Sequence, residues 1–127
     1  MPKVSKETAT QVQEFGPVID RRAEFGGYTV EFVSFGADVD LEGPLQALPG
    51  GACQCPHWGY VIAGRMRYVF RDHEEVYEAG DAFFQFPSHR PYVEAGTELL
   101  QFSPTDLLAV TEQAMADWTE KQADDAP

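Results

Sequence analysis

Three scarcities frame this sequence. Cysteine occurs only twice, at Cys53 and Cys55, too few for the disulfide framework that staples small secreted domains. The C-x-C spacing also discourages a bridge within the pair. Alternate residues of a strand lie about 6.7 Å apart, at the upper edge of disulfide Cα separations. Free thiols or metal ligands in a reducing compartment are the readings left. Basic residues are few as well: 9 lysines and arginines face 21 aspartates and glutamates, a formal net charge of -12. So acidic a chain repels phosphate, which excludes nucleic acid and a membrane surface as partners. Long apolar runs are missing. No stretch approaches the roughly 20 residues that span a bilayer, and the opening MPKVSKETATQVQEF has no apolar signal-peptide core. The expected location is cytoplasmic. P-loop, G-x-S-x-G and G-x-G-x-x-G motifs are all lacking.

What is present points to one all-β domain. The 127 residues suit a single core. From Tyr28 onward, turn signals recur about every 8–12 residues, the spacing of a β-sandwich or barrel. Tyr28–Phe35 alternates with period 2, placing Val30 and Phe32 on one face and Thr29, Glu31 and Val33 on the other. Gly59–Phe70 reads as two strands broken at Ala63-Gly64, and a short strand is expected around Leu45–Leu48. Further strands are expected at 75–77, 82–86, 92–94 and 98–102. Residues 1–25 read as an arm with at most one short edge strand, and 26–103 as the barrel. Leu107, Leu108, Val110, Met115 and Trp118 recur at helical spacing. They predict one amphipathic helix over 104–121, with Ser103 as cap and Pro104 in the first turn. Residues 122–127 read as a frayed acidic tail.

Two stretches resemble the cupin superfamily. His57-Trp58-Gly59-Tyr60-Val61-Ile62-Ala63-Gly64 looks like the end of the first cupin motif, where a ligand leads through an aromatic-aliphatic run to a turn glycine. Glu78-Ala79-Gly80-Asp81-Ala82-Phe83, followed by Pro87-Ser88-His89-Arg90-Pro91, looks like the second, where a Gly-Asp turn leads through a strand to a loop and a histidine. Glu94–Pro104 is similar to the closing strand of small bacterial cupins. The resemblance implies a cupin-type jelly-roll (double-stranded β-helix) barrel with one C-terminal α-helix. It also implies a homodimer, in which paired N-terminal strands cover the edges left by the first and last strands.

The ligand set departs from the family pattern. Counting back from Gly64, the glutamate position holds His57, and the two histidine positions hold Gly51 and Cys53. Counting on from Gly80, the usual last-histidine position falls on Pro91, two residues past His89. Any metal therefore takes a different set. Cys53, Cys55 and His57 stand at i, i+2 and i+4, on one face of a regular strand, with His89 on a later loop. Two thiolates and two imidazoles suit a closed zinc site, whereas three ligands and an open position suit iron(II), copper or catalytic zinc. Reach ranks the ligands. Residues four apart on a strand are separated by about 13 Å, beyond the roughly 11 Å that a Cys and a His span through a metal. Cys53 thus needs a bend, which Pro56 permits, and the order is His57 and His89 first, Cys55 next, Cys53 last. The competing reading packs both thiols as small hydrophobes.

The expectation is one divalent transition metal, zinc or iron, in a cavity that takes a small organic molecule, with Tyr60 and Arg65 positioning it. Oxygenase- or isomerase-type chemistry competes with a non-catalytic ligand-binding or sensor role. His73, Glu74 and Glu75 read as solvated turn residues.

Overall fold

The computed structural model describes residues 3–124. Strands run at β1 Gln11–Phe15, β2 Val18–Phe25, β3 Tyr28–Phe35, β4 Val39–Asp40, β5 His57–Ala63, β6 Arg65–Val69, β7 Glu74–Glu78, β8 Ala82–Gln85, β9 Arg90–Val93 and β10 Glu98–Pro104. A single helical turn at Pro49–Gly51 precedes β5, and α1 covers Thr105–Asp124. The strands form a six-stranded sheet, ordered β1-β2-β3-β10-β5-β8, and a four-stranded sheet, ordered β4-β9-β6-β7. Val33, Val61, Phe83 and Leu99 of the first sheet pack against Met66, Tyr68, Tyr77 and Val93 of the second.

The all-β jelly-roll expectation holds, with one correction: the two sheets stay open and do not close into a barrel. The chain crosses between them at Gly64, whose φ of 84° suits glycine. A side chain there would run into Thr97. The Thr97 hydroxyl instead clamps the corner, accepting from the Arg65 amide and donating to the Arg65 carbonyl, both at 3.0 Å. The edges also differ from expectation. β10 lies mid-sheet between β3 and β5, and the edges of the larger sheet are β1 and β8.

The amino-terminal arm is likewise corrected. Residues 11–25 form β1 and β2, joined by a hairpin turn at Gly16-Pro17. The apolar signal was hidden because the inward positions of β2 are Asp20 and Arg22, 4% and 5% exposed. Around Leu45 the chain turns and forms no strand, and Leu45 is buried under α1 with Leu108. The helix begins one residue later than expected, since Pro104 ends β10, and it continues through the start of the expected tail. Residues 125–127 lie outside the described residues. Ser103 does not cap the helix; its hydroxyl is turned inward to His57.

Among the described residues, no helix is long and apolar enough to cross a membrane.

Candidate metal centre

The centre is assembled where β5 and β9 begin. Cys53 and His89 are clamped backbone to backbone: the Cys53 amide donates to the His89 carbonyl at 2.9 Å, and the His89 amide donates back at 3.2 Å. The Ser88 amide shares the same Cys53 carbonyl at 2.8 Å. This seat requires Ser88 to adopt φ 74°, a left-handed conformation that glycine takes at less cost. Serine thus stands in the loop after β8 where glycine would be easier.

Residues 54–56 leave strand geometry before β5 starts at His57. The alternation expected across Cys53, Cys55 and His57 therefore fails, and the ranking of the two thiols reverses. Cys53 folds back to place its Sγ 3.8 Å from His57 Nε2. Cys55 turns away, is fully buried, and points its thiol at the Pro56 and Pro104 carbonyls. It packs with Leu45 and Leu108 as a small hydrophobe. Burial, then the neighbouring Cys53, pushes its pKa up to about 12.

Cys53, His57 and His89 bring one ligand atom each to within 4.8 Å of one another. Both rings are held through Nδ1. His89 Nδ1–H donates to the Phe86 carbonyl at 2.7 Å, which fixes Nε2 as its lone-pair nitrogen. His57 Nδ1 meets the Ser103 hydroxyl at 2.7 Å, leaving Nε2 toward Cys53. Metal-binding histidines are oriented in this way, through the nitrogen that does not bind. Burial, then the facing His89, lowers the His57 pKa to about 3. His89 is lowered by burial too. Both imidazoles are therefore neutral and available at pH 7. Burial raises the Cys53 thiol, against the hydroxyl of Thr111 at 3.4 Å. A cation that binds must displace its proton. One soft thiolate and two imidazoles suit zinc or iron(II).

Two further inward side chains were not singled out in the sequence. Gln85 stands directly opposite His57 in the β5–β8 register, and side chains at such a pair share a face. It is fully buried, and neither Oε1 nor Nε2 is in full hydrogen-bond geometry with any described group, although the Tyr68 hydroxyl lies close enough to interact with it. Tyr68, beside Gln85, places its ring 5.5 Å from the His89 ring. Period 2 along Phe83-Phe84-Gln85 puts Gln85 on the face of the core residue Phe83, a signal present in the sequence.

Tyr60 and Arg65 are not part of this interior. Tyr60 is 45% exposed on the outer face of the larger sheet, because β5 turns His57 and Val61 inward. Arg65 is exposed and paired with Glu94 at 3.1 Å. His73 is an exposed turn residue held by Asp72 and Glu75.

A second buried cluster lies between β2, β3 and α1. Arg22 contacts Asp20 at 2.6 Å, Glu31 at 3.2 Å, and Glu112 of α1 through a 2.9 Å hydrogen bond. Gln101 Nε2 donates to Glu31 at 3.0 Å. Burial, then the adjacent Asp20, holds the Glu31 carboxyl well above the usual carboxylate range.

Two antiparallel sheets packed around inward imidazoles define the class as a jelly-roll β-sandwich with an interior polar site. Within that class, the chain has the fold of a small cupin domain. It is similar to an RmlC-like cupin from Shewanella frigidimarina NCIMB 400, with a TM-score of 0.55, 20% identity, and coverage of 82% of this chain and 92% of that one. A Rhizobium leguminosarum protein of unknown function aligns with a TM-score of 0.58 at 14% identity, over 81% of this chain and 95% of that one. The polyketide cyclase RemF from Streptomyces resistomycificus aligns at 0.56 and 14% identity, over 83% and 80%. No family model matches the sequence, and no curated protein is significantly similar to it.

Proposed function

We propose that this chain is a metal-binding small cupin whose Cys53, His57 and His89 hold one divalent transition metal, zinc or iron, and which acts on a small organic molecule in its interior. The carrying observation is the convergence of three ligand atoms within 4.8 Å, with both histidines tied through the opposite nitrogen. When bound, the metal supplies Lewis-acid chemistry of the kind that isomerases and oxygenases use. One thiolate would offset half of its charge, and Ser103 and the Phe86 carbonyl orient the two imidazoles that would hold it. RemF shows that this fold hosts small-molecule chemistry, a likeness of fold alone. The two buried free thiols suit a reducing, cytoplasmic setting.

A second reading is favoured by burial. His57, the most exposed of the three, is only 6% exposed. So closed a centre also suits a non-catalytic ligand-binding or sensor domain with a structural zinc site.

Elemental analysis of protein purified without chelator tests the reading, beside His57→Ala and His89→Ala. About one metal per chain, lost in both variants, is the expected result. No metal after reconstitution with zinc or iron(II) overturns it. Coordination number then separates the two readings: an open position supports chemistry, and four protein donors support structure.

A homodimer belongs to the same proposal. β1 is one edge of the larger sheet, and Trp58, Tyr60, Ile62 and Phe102 stand 40–45% exposed on the outer face of the same sheet, on β5 and β10 toward its other edge, a surface that a second copy would cover. Light scattering at the monomer mass of 14.1 kDa would refute it.

A further inference from the structure

We infer that Gln85 is the fourth member of the Cys53–His57–His89 centre, its carboxamide oxygen completing the donor set around the metal. The inference rests on the metal reading above. Three observations carry it. Gln85 faces the same interior as His57, its direct cross-strand partner. It is fully buried, and neither amide heavy atom is in full hydrogen-bond geometry, the Tyr68 hydroxyl being the one polar side chain recorded as interacting with it. Its neighbour Tyr68 packs against His89.

An unpaired buried carboxamide is expensive. Leaving such a group without a partner costs about 1–3 kcal/mol, and an apolar residue of the same shape avoids that cost. Strand β8 is otherwise apolar at its inward position, where Phe83 joins the core. A buried glutamine directly across the sheet from His57 is explained when its oxygen has a cation to bind. The donor set then reads one thiolate, two imidazoles and one amide oxygen, a four-donor combination that tetrahedral zinc accepts. Three of the four donors are neutral, so the bound site carries one net positive charge. The amide oxygen is the weakest donor of the set, and so it is the position that an incoming ligand with an oxygen donor would take.

The test uses the full chain with zinc alone as the probe. Zinc affinity is measured by competition with a chromophoric chelator for wild type, Gln85→Leu, Gln85→Glu and His89→Ala. The Gln85 side-chain amide is followed by nuclear magnetic resonance during the wild-type titration. In Gln85→Leu, affinity should fall at least about tenfold at unchanged stoichiometry, the scale of losing a supporting partner or more. Metal-free Gln85→Leu should melt no lower than wild type. Gln85→Glu should bind at least as tightly as wild type. The Gln85 amide resonances should move with the histidine resonances at one equivalent of zinc. If the histidines respond and Gln85 does not, with equal affinity in Gln85→Leu, the metal reading stands and this inference falls. If wild type binds no zinc, both fall. Should Gln85→Leu fail to fold, the wild-type resonances and Gln85→Glu decide alone.

Discussion

Two buried clusters in this molecule gather three metal-capable side chains within the same 4.8 Å, and they differ in one respect. The Asp20, Glu31 and Glu112 carboxylates already surround a cation, the Arg22 guanidinium. Cys53, His57 and His89 surround none, and their imidazoles are held neutral by burial. Ligand convergence alone therefore does not make a metal site. The charge must still be uncompensated, or the ligands must be neutral and waiting. The acidic cluster carries its own counter-cation, although Asp20 Oδ1 and Arg22 Nε lack hydrogen-bond partners, and among the described residues the thiol-imidazole cluster has no protein cation beside it.

The largest effect should come from removing the internal cation. Burial works against the Arg22 charge, but the hydrogen bonds it donates to Glu112 and Asp20, with Glu31 nearby, outweigh it, so the guanidinium is held charged. Arg22→Met keeps most of the volume and strands two buried carboxyl groups. A loss of about 3–5 kcal/mol is expected, the scale for breaking a buried ion pair from one side. Urea unfolding at pH 7 measures it. A loss below about 1 kcal/mol would mean that the cluster is not held by its arginine, and the contrast drawn above would collapse. If the contrast is right, the variant should also gain affinity for calcium, a hard cation that prefers carboxylates.

The two clusters should respond to acid with opposite sign. The folded His57 value, about 3, lies below its unfolded value of 6.5. Its contribution to stability is complete above pH 6.5 and is lost as pH falls toward 3, by up to about 1.4 kcal/mol per pH unit. His89, lowered by burial, has the same sign. Glu31 is raised above 4.5 by burial and then by Asp20. Its contribution is complete below pH 4.5 and is lost as pH rises through the elevated folded value. Between these ranges the histidines and Glu31 work against each other, the histidines favouring a rise of stability with pH and Glu31 a fall. Glu31→Gln should make the rise of stability with pH steeper, and His57→Asn should make it shallower. Unfolding free energies at half-unit pH intervals supply the check. Parallel slopes in all three proteins would remove the assigned protonation states.

Legibility followed the same division. Apart from the two-residue β4 and the strand wrongly expected around Leu45, the strands from Tyr28 onward could be read because turn residues punctuate an alternating apolar pattern, and Gly64 marked the corner between the sheets. β1 and β2 could not, because β2 points Asp20 and Arg22 inward and the period-2 signal carried charge where apolar residues were sought. His57 and His89 were legible from motif position. The order of the thiols was not, because reach arithmetic assumed a regular strand and residues 54–56 form none. Tyr60 and Arg65 were misplaced for a simpler reason. Starting from an inward His57, alternation puts Tyr60 outward, and Gly64 then breaks the phase before Arg65. Whether each cluster holds its own cation was beyond sequence, because Arg22 and Glu112 meet across 90 positions.

The smallest expected effect tests whether the clusters are separate at all. Neighbouring residues of α1 touch both: Thr111 lies 3.4 Å from the Cys53 thiol, and Glu112 is bonded to Arg22. Glu112→Gln removes one charge from the acidic cluster while leaving Arg22 with Asp20 and Glu31. A cost of about 1 kcal/mol is expected, because the Glu112 side chain keeps 27% exposure and its amide replacement still accepts a hydrogen bond. Zinc affinity should stay within about twofold of wild type, since burial beneath Leu108 and the packing around Leu45 hold the helix without that charge. A tenfold fall in affinity, about 1.4 kcal/mol, would mean that Arg22 seats Thr111 on Cys53 through the helix. The two clusters would then form one coupled unit, with the acidic one serving as a latch on the metal centre.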